Sequence, residues 1–254
     1  MVSTKTEEEI KLMSYAGKVC YDLLNAIESK IVPGVRTKEL DSFARTFLKE
    51  RGCNPACLGY EGYPASICTS VNDSVVHEIP GSRKLKEGDI ITIDLVAEYK
   101  GYMADTARTY KVGKVTKEIE DFLAYTKEAL YKGLSVIKDG VKLGEVSKAI
   151  ESVAKEHHLG VVRELTGHGI GKEMHEDPYV YNYENDEEDS KLVLKKGMTI
   201  AVEPMFTLGK RDVWLMDDDW TITTQDGSVA AHYEHTIVVT EDGYKILTGE
   251  WING

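Results

Sequence analysis

Apolar residues recur every three or four positions in four stretches of the chain, which is the spacing of amphipathic helices. Thr6 and Glu9 form a capping-box pattern at the start of the first stretch, and Thr37 is the predicted cap of the second. Each of the first three stretches is followed by a glycine within a few residues. We expect helices over approximately Thr6–Lys30, Thr37–Gly52, Thr116–Lys138 and Leu143–His158.

Shorter stretches of alternating or continuous apolar residues predict strands between and after these helices. The longest lies at Asp89–Tyr110, where two β-branched segments flank a polar turn at residues 98–101. Because helices and strands follow each other without regular alternation, the pattern favours the α+β class. Further strands are predicted at Val161–Leu165, Thr199–Phe206, Thr221–Thr224 and Ala231–Thr240.

Two aspartates face each other in the predicted hairpin. A four-residue turn would pair Ala97 with Tyr102 and, counting back, Asp94 with Asp105. Directly opposed residues have Cβ atoms about 5 Å apart, so the two carboxylates would repel each other. A shared proton or a cation between them would relieve the repulsion. An edge hairpin with the carboxylates in water is the alternative that the hairpin alone leaves open.

The chain also contains an internal echo, with offsets of 106 and 109 residues between similar segments. It predicts a duplicated helix-plus-hairpin unit in which Asp94 and Glu203 occupy equivalent positions. Two such halves would pack about a pseudo-twofold axis with a site between them. Chance similarity between short charged segments is the alternative. The similar segments are Gly34–Leu40 with Gly140–Val146, and Leu85–Gly88 with Leu194–Gly197.

Composition narrows the classes of function. The chain has 254 residues and a net charge of -12, which argues against nucleic-acid binding. No apolar run approaches the roughly 20 residues that span a bilayer, and the N-terminal segment lacks a secretory pattern. We therefore expect a cytoplasmic protein without membrane contact that forms a single domain over residues 1–254.

Four cysteines in a chain of this length do not resemble a disulfide framework. Cys53, Cys57 and Cys68 could be imagined as zinc ligands, but their spacings match no common zinc pattern and no paired fourth ligand follows. Reduced thiols, some of them lining a pocket as small apolar groups, are the favoured interpretation.

Three further residues stand in contexts that a surface position does not explain. His168 lies between glycines in the segment TGHGIG, whose bare backbone permits close approach of a ligand or another strand. Glu203 and Glu234 lie in largely apolar strand segments. With Asp94 and Asp105 they make four carboxylates and one imidazole, a hard ligand set suited to Mn, Fe(II), Co or Mg. Two such ions could activate a water molecule and polarise a carbonyl group, which is hydrolytic chemistry.

Seven motifs make the chain recognisable, and two of them contain His77 and His175, imidazoles that could stabilise an oxyanion or move a proton. Together the motifs resemble the type I methionine aminopeptidases, whose pita-bread fold is shared with prolidases and creatinase. The resemblance extends from about Glu7 to Leu247 and looks like the short bacterial form. In order, the motifs are SVNDSVVHEIP, GDIITIDL, GYMADTART, TGHGIG, MHEDP, VEPMF and YEHTIVV.

The resemblance implies a dinuclear metal site. Asp105 and Glu234 would bridge two divalent ions, Asp94 would complete the shell of one ion, and His168 with Glu203 would complete the other. The ions implied are Mn, Co or Fe(II), with Zn and Ni as alternatives.

The resemblance also implies the reaction, which is removal of the N-terminal methionine from nascent proteins and peptides whose second residue is small. A water molecule between the ions would attack the first peptide bond, with Glu203 accepting a proton. His77 would donate toward the leaving nitrogen or position the following residue, and His175 would hold the carbonyl oxygen.

A pocket of thiol, thioether and aromatic groups is implied for the methionine side chain. Three positions depart from the usual family pattern: Met174 stands where Phe is common, Glu78 where Gly is usual, and Glu61 where His is frequent. A carboxylate beside His77 is expected to raise the pKa of its imidazole or to constrain its loop, which predicts slower turnover or a shifted pH optimum. The implied pocket residues are Cys57, Tyr60, Tyr63, Cys68, Met174 and Trp220.

Two other functions fit the same fold. An Xaa-Pro peptidase usually carries a separate N-terminal domain, which the 93 residues before Asp94 do not supply beside the catalytic half. A metal-free binding protein would have lost ligands, and all five are present. A transient ribosome contact through Lys210 and Arg211 could accompany catalysis, although the acidic run Asp217–Asp219 favours a solvated loop. The expected oligomeric state is a monomer.

Overall fold

The helices of the computed structural model begin and end close to the predicted positions. The structure describes residues 2–250, so residues 1 and 251–254 of the predicted domain lie outside the described residues. Thr6 caps the first helix as predicted: its Oγ1 accepts a hydrogen bond from the Glu9 N–H, and the Glu9 carboxylate accepts one from the Thr6 N–H. The helices are α1 (Glu7–Glu28), α2 (Thr37–Glu50), α3 (Lys117–Ser135) and α4 (Leu143–Glu156).

The start of α2 differs from the prediction by one residue. Arg36, with extended backbone, is the capping residue, and its N–H donates to Glu39 Oε2 at 2.8 Å. Thr37 is the first helical residue, and its hydroxyl oxygen lies 2.8 Å from the Gly81 nitrogen and 3.3 Å from the Gly81 oxygen. The predicted cap therefore ties α2 to a loop of the same half. None of the helices in residues 2–250 is long and apolar enough to cross a membrane.

The strands are short apart from one central pair, and their pairings are antiparallel. They are β1 (Asn54–Pro55), β2 (Cys68–Val71), β3 (Ser74–Val76), β4 (Ile90–Tyr99), β5 (Tyr102–Lys111), β6 (Gly160–Val161), β7 (Gly167–Gly169), β8 (Glu176–Val180), β9 (Thr199–Val202), β10 (Met205–Thr207), β11 (Val213–Leu215), β12 (Ile222–Thr224), β13 (Ala230–His232), β14 (His235–Val239) and β15 (Tyr244–Ile246). One sheet has the order β1-β4-β2 with β5 on β4, and a second has the order β15-β14-β9-β7-β8. Two smaller sheets are β13-β10-β6 and β11-β12-β3. The predicted strand at 161–165 is thus reduced to β6.

The central hairpin of β4 and β5 has a tighter turn than predicted. Tyr99 pairs with Tyr102, so the turn consists of Lys100 and Gly101 alone, with φ values of 51° and 83°. Two consecutive residues with positive φ are typical of the type I′ turn, whose twist matches that of the paired strands. The predicted four-residue turn was wrong because this local geometry is favoured in a two-residue hairpin loop.

The shorter turn moves the register of the two aspartates. Asp94 lies opposite Ala107, and Asp105 lies opposite Val96, so the predicted direct pairing of the two carboxylates was wrong by two residues. Because alternate residues of a strand share a face, Asp94 and Asp105 remain diagonal neighbours on the same face of the sheet.

The two halves of the chain repeat the same backbone hydrogen bonds, which confirms the predicted duplication. Equivalent donors and acceptors are separated by 106 residues before the hairpins and by 109 residues at their start, as in the sequence echo. The repeated bonds are Gly34 N–H to Leu85 O and Gly140 N–H to Leu194 O, Leu85 N–H to Val35 O and Leu194 N–H to Val141 O, and Gly88 N–H to Val112 O and Gly197 N–H to Val239 O.

Each half has its own apolar core. In the first, α1 and α2 bury residues such as Leu23 and Leu40 against Ile93 of β4. In the second, α3 and α4 pack with β9 and β14 around residues such as Ile150 and Ile200. Removal of this apolar surface from water holds the helices on the outer faces of the sheets. The inner faces are left to meet each other at the centre.

Two predicted continuous strands are interrupted at their acidic residues. Glu203 and Pro204 separate β9 from β10 within the predicted strand 199–206, and Glu234 lies in the break between β13 and β14 within 231–240. Proline has no N–H for a strand ladder, which explains the first interruption. Both glutamates therefore lie at strand ends that point to the centre of the molecule.

Candidate metal centre and substrate pocket

The five predicted metal ligands come together where the two halves meet. Asp94 and Asp105 belong to the hairpin of the first half, whereas Glu203 and Glu234 lie at the ends of β9 and β14 in the second. His168 lies on β7, which pairs with β9. All except Asp94, which is half-buried, are at least nine-tenths buried.

Contacts between β5 and β14 place two of these carboxylates. The Asp105 N–H donates to Thr236 Oγ1 at 2.9 Å, and the Glu234 N–H donates to the Ala107 carbonyl at 3.0 Å. Thr106 Oγ1 donates in turn to the Glu234 carbonyl at 2.7 Å. Main-chain groups on both strands are therefore satisfied, and the carboxylate side chains are free to point into the centre.

His168 presents an unprotonated nitrogen to two carboxylates. Its Nε2 lies 3.6 Å from Asp105 Oδ2 and 3.5 Å from Glu203 Oε1. Its Nδ1 lies 2.8 Å from the Gly169 carbonyl oxygen, a partner that only accepts, so Nδ1 carries the proton of the neutral ring. Burial lowers the pKa of His168 to about 4, which keeps the ring neutral at pH 7. A nitrogen lone pair facing two carboxylates is unfavourable unless a cation lies between them.

The carboxyl groups lack the partners that such burial requires. Burial raises the pKa of Asp94, Asp105, Glu203 and Glu234, and neighbouring carboxylates raise it further for Asp94, Glu203 and Glu234. Asp105 Oδ1 and Glu234 Oε1 are buried without any hydrogen-bond partner. No lysine or arginine among residues 2–250 lines the two cavities beside them. Buried charge of one sign without a counter-ion requires protonation or a bound cation.

The donor set fits divalent metal ions. Ligand atoms of Asp105, His168 and Glu234 all lie within 4.8 Å of one another. Carboxylate oxygens with one imidazole nitrogen and no thiolate are the ligands of Mn, Fe(II) and Co rather than of a structural zinc site. Bound cations would satisfy the unpartnered oxygens and the bare His168 nitrogen together.

The glycines beside His168 make room for neighbouring strands. A Cβ atom at Gly167 would lie 2.4 Å from the Ala201 carbonyl oxygen, and one at Gly169 would lie 2.0 Å from the Asp177 carbonyl oxygen. Of the two explanations that the sequence allowed, close approach of strands is therefore the correct one. The bare backbone allows β7 to lie between β8 and β9.

Two cavities of about 450 and 210 Å³ lie beside the carboxylates, and both are lined by His77, Asp94, Asp105, His168 and His175. His77 has a φ of 61°, a conformation that is uncommon outside glycine and concentrated at functional sites. Burial and the neighbouring His175 lower the pKa of His77 to about 4. The two predicted catalytic imidazoles therefore face the same space as the carboxylates.

The six predicted pocket residues pack in one apolar cluster at the larger cavity. The two thiols are protonated, because burial raises their pKa well above its usual value, and they act there as small apolar groups. The aromatic rings of Tyr63 and Trp220 meet edge to face with centroids 5.0 Å apart. The cluster contains Cys57, Tyr60, Tyr63, Cys68, Met174 and Trp220.

The alternative zinc site of three cysteines is not formed. All four cysteines are free and buried. Cys53 packs with Cys20 in the core of the first half, whereas Cys57 and Cys68 belong to the pocket cluster.

Known proteins share both this sequence and this architecture. Residues 11–241 match the model of metallopeptidase family M24. The chain is 44% identical over 248 residues to methionine aminopeptidase 1 of Bacillus subtilis, with 98% of this chain and 99% of the relative covered. The crystal structure of methionine aminopeptidase from Rickettsia prowazekii superposes with a TM-score of 0.95 and 41% identity, covering 98% of this chain and 100% of that one.

The chain belongs to metallopeptidase family M24, among its methionine aminopeptidases.

The pita-bread fold predicted from the motifs is thereby confirmed. Prolidase from Pyrococcus furiosus, at 24% identity, shares the fold with a TM-score of 0.76, and this chain covers 66% of its length. That likeness concerns the fold alone. The methionine aminopeptidases match over nearly their whole length, which favours them over the longer Xaa-Pro enzymes as a guide to this M24 chain.

Glu78, one of the departures from the usual M24 pattern, does not act on the imidazole beside it. Its Oε2 accepts a hydrogen bond from the Val71 N–H at 2.8 Å, and its Oε1 pairs with Arg83 Nη1 at 3.0 Å. The expected rise in the pKa of His77 was wrong in direction, because burial and His175 lower it. The contacts support the other expectation, a constraint on the loop that carries His77. Glu61 lines the larger cavity, as its position in the sequence suggested.

One buried imidazole near the carboxylates was not predicted. His232 is 1% exposed, and its Nε2 lies 3.6 Å from Glu203 Oε2 and 3.8 Å from Glu234 Oε2. Neither ring nitrogen has a hydrogen-bond partner. The sequence contained a signal, because residues two positions apart in a strand share a face and His232 precedes Glu234 by two. The break between β13 and β14 brings the two side chains to the same carboxylate cluster.

The largest cavity, of about 740 Å³, lies on the other face of β5 among residues such as Tyr21, Arg108 and Lys127. Only Glu234 of the five predicted ligands contributes to its lining. Because it lacks the convergent carboxylates and imidazoles, it is not the candidate site.

Proposed function

We propose that this chain removes the N-terminal methionine from nascent proteins and peptides whose second residue is small, with the help of divalent metal ions. The observation that carries the proposal is the contact of two chemistries in one space. A buried carboxylate cluster with an unprotonated His168 nitrogen adjoins a closed pocket of thiol, thioether and aromatic groups. The names of the relatives support the same reaction.

The ions would be held by Asp94, Asp105, His168, Glu203 and Glu234. We propose two ions per chain, of Mn, Co or Fe(II), with Zn or Ni as alternatives. When bound, they supply Lewis acidity toward the peptide carbonyl and make a water molecule acidic enough to act as a nucleophile near neutral pH.

Three residues of the chain carry the remaining chemistry in this proposal. Glu203 accepts the proton of the attacking water, a role that suits a carboxylate whose pKa is raised by burial and by Asp105 and Asp94. His77 borders both cavities and contacts the scissile nitrogen or the following residue. His175 holds the carbonyl oxygen as negative charge develops.

The pocket selects an unbranched side chain that contains sulfur. Buried thiols and a thioether are soft and polarisable, and aromatic edges favour contact with a sulfur atom. Met174 is flexible compared with an aromatic residue at the same wall. We expect Met174→Phe to reduce cleavage of norleucine peptides more than cleavage of methionine peptides, and equal effects on both would remove this role of Met174.

The substrates are N-termini of newly made chains, so the proposed place of action is the cytoplasm, with the protein as a monomer and without nucleic acid or membrane. The free cysteines agree with a reducing compartment. A transient ribosome contact through Lys210 and Arg211 stays a prediction. Sedimentation with ribosomes, compared between the wild type and a variant with both residues changed to serine, would decide it.

The decisive experiment measures methionine release from Met-Ala-Ser by metal-stripped protein with Mn, Co, Fe(II) or Zn added back. Release that requires metal and is abolished in Asp105→Ala is the expected result. A peptide with proline in second place, and the dipeptide Ala-Pro, separate this activity from that of an Xaa-Pro peptidase. Absence of release with every metal, together with no heat of metal binding, would overturn the proposal in favour of a binding protein.

A further inference from the structure

His232 lies behind the candidate metal centre. Its side chain is 1% exposed and lines neither of the two cavities that contain the predicted ligands. Yet its Nε2 is 3.6 Å from Glu203 Oε2 and 3.8 Å from Glu234 Oε2. An imidazole this close to two carboxylates, but on the side away from the substrate space, is suited to orient them rather than to touch substrate.

Glu203 lies between two imidazoles of opposite character. Its Oε1 faces His168, whose Nε2 is bare because the proton is on Nδ1. Its Oε2 faces His232, which has no other acceptor for either ring nitrogen. The neutral His232 ring has one N–H, and the carboxylate oxygens are the only acceptors near Nε2 in the described part of the chain, so the proton belongs on Nε2.

The backbone holds His232 in this position from both ends of its residue. Its N–H donates to Thr109 Oγ1 at 3.0 Å, and the same hydroxyl lies 2.9 Å from the His232 carbonyl oxygen. On the opposite strand His232 pairs with Met205, two residues after Glu203. The ring is therefore anchored by the hairpin of the first half and by β10 of the second.

We infer that His232 is a positioning residue that donates from Nε2 to Glu203, and secondarily to Glu234, and so fixes the orientation in which these carboxylates hold metal ions. The inference rests on the proposed function. Carboxylates that bind metal are oriented by hydrogen bonds from the outer shell, and removal of such a partner typically weakens metal affinity about 10–100-fold.

Two variants separate positioning from packing. His232→Leu keeps much of the volume and removes the donor, whereas His232→Gln keeps an N–H donor at a similar reach. We would measure Mn(II) and Co(II) dissociation constants of metal-stripped protein by calorimetry, kcat and KM on Met-Ala-Ser, and the melting temperature of the metal-free forms.

We expect His232→Leu to weaken metal binding and to lower kcat, each about 10–100-fold, with KM little changed. Its metal-free melting temperature should not fall, because the ring nitrogens have no hydrogen bonds to lose. His232→Gln should recover metal affinity and kcat to within about fivefold of the wild type, since one hydrogen bond is worth about that factor.

Wild-type metal affinity and kcat in His232→Leu would overturn this role alone. Equal defects in the Leu and Gln variants, with equal losses of metal-free melting temperature, would overturn it in favour of packing. A changed visible spectrum of the Co(II) form in His232→Gln would make His232 a ligand instead. Failure of the wild type itself to bind metal would overturn the proposed function together with this inference.

Discussion

The hydroxyl oxygen of Tyr60 lies 2.8 Å from Nδ1 of His175. Their rings meet nearly edge to face with centroids 5.4 Å apart. A hydroxyl that donates to Nδ1 leaves the proton of the neutral imidazole on Nε2, which is the tautomer needed to donate to a developing oxyanion. Tyr60 thus belongs to the pocket wall and orients a proposed catalytic group at the same time.

Tyr60→Phe should keep the wall and lose the orienting bond. We expect kcat on Met-Ala-Ser to fall about fivefold, since one hydrogen bond contributes about 1 kcal/mol, with little change in KM. Tyr15→Phe, which removes a hydroxyl bonded to the surface carbonyl of Arg51, is the control and should not alter kcat. A loss confined to KM would show that Tyr60 acts only through the pocket.

Asp105→Asn should stabilise the metal-free protein and remove its response to metal. Asp105 is buried, its pKa is raised by burial, and Oδ1 has no partner, so neutralising it relieves an unfavourable charge. We expect a gain of about 1 kcal/mol in unfolding free energy, or about 2–4 °C in melting temperature. Addition of Mn should raise the melting temperature of the wild type but not of the variant.

Asp217→Asn provides the control for that experiment, because Asp217 is exposed on a loop. It should change neither the metal-free melting temperature nor the response to Mn. A lower melting temperature of metal-free Asp105→Asn would show that the carboxylate is satisfied in the folded state and would contradict the need for a cation.

Glu176 orders the loop that carries Met174 and His175. Its Oε1 accepts hydrogen bonds from the N–H groups of Lys172 and Glu173 at 2.9 and 3.3 Å, and its Oε2 accepts one from Lys5 Nζ at 2.6 Å. Although burial alone would raise the pKa of Glu176, the hydrogen bond and charge of Lys5 outweigh it and lower the pKa.

Because the folded state lowers the pKa of Glu176, its carboxylate stabilises the fold at neutral pH. This contribution is present above the ordinary pKa of 4.5 and is lost as the pH falls through the lowered value. Glu176→Gln should therefore reduce the unfolding free energy at pH 7 by about 1–2 kcal/mol, with the difference from wild type shrinking toward pH 3. Glu8→Gln, at an exposed position, is the control. A difference in melting temperature that stays constant from pH 7 to pH 3 would contradict the role of the charge.

Gly169→Ala should destabilise the sheet that carries His168. The new Cβ would lie 2.0 Å from the Asp177 carbonyl oxygen, which is backbone and can move away only if β8 moves. We expect a loss of about 2 kcal/mol or more in chemical unfolding and weaker metal binding. Gly81→Ala, whose Cβ would meet its nearest atom at 3.8 Å, should be nearly neutral. Similar stability of both variants would contradict the close approach of strands as the reason for glycine beside His168.

Much of this protein could be predicted before its structure because the signals are local or repeated. The Thr6–Glu9 capping box depends on groups three residues apart, and such groups meet in any helix. The echo at 106 and 109 residues was visible because two similar units kept their spacing, and it identified Asp94 and Glu203 as equivalent positions. Isolated acidic groups in apolar segments indicated a cation, since buried charge must be compensated.

Other features depended on how distant segments meet. The Lys100–Gly101 turn set the register of β4 and β5, and only that register shows Asp94 and Asp105 as diagonal neighbours. Glu78 looked like a partner of His77 in the sequence, but Arg83 and Val71 occupy its carboxylate in the fold.

The sequence by itself determined the fold class, the duplication and the chemical nature of the centre, because helix periodicity, strand patterns and ligand types are properties of residues and their spacing. Only the tertiary structure decided that Glu203 lies between His168 and His232, with each imidazole at a different oxygen. Such an arrangement joins β7, β9 and β13, and contacts between strands so far apart along the chain follow from packing and register rather than from any local pattern.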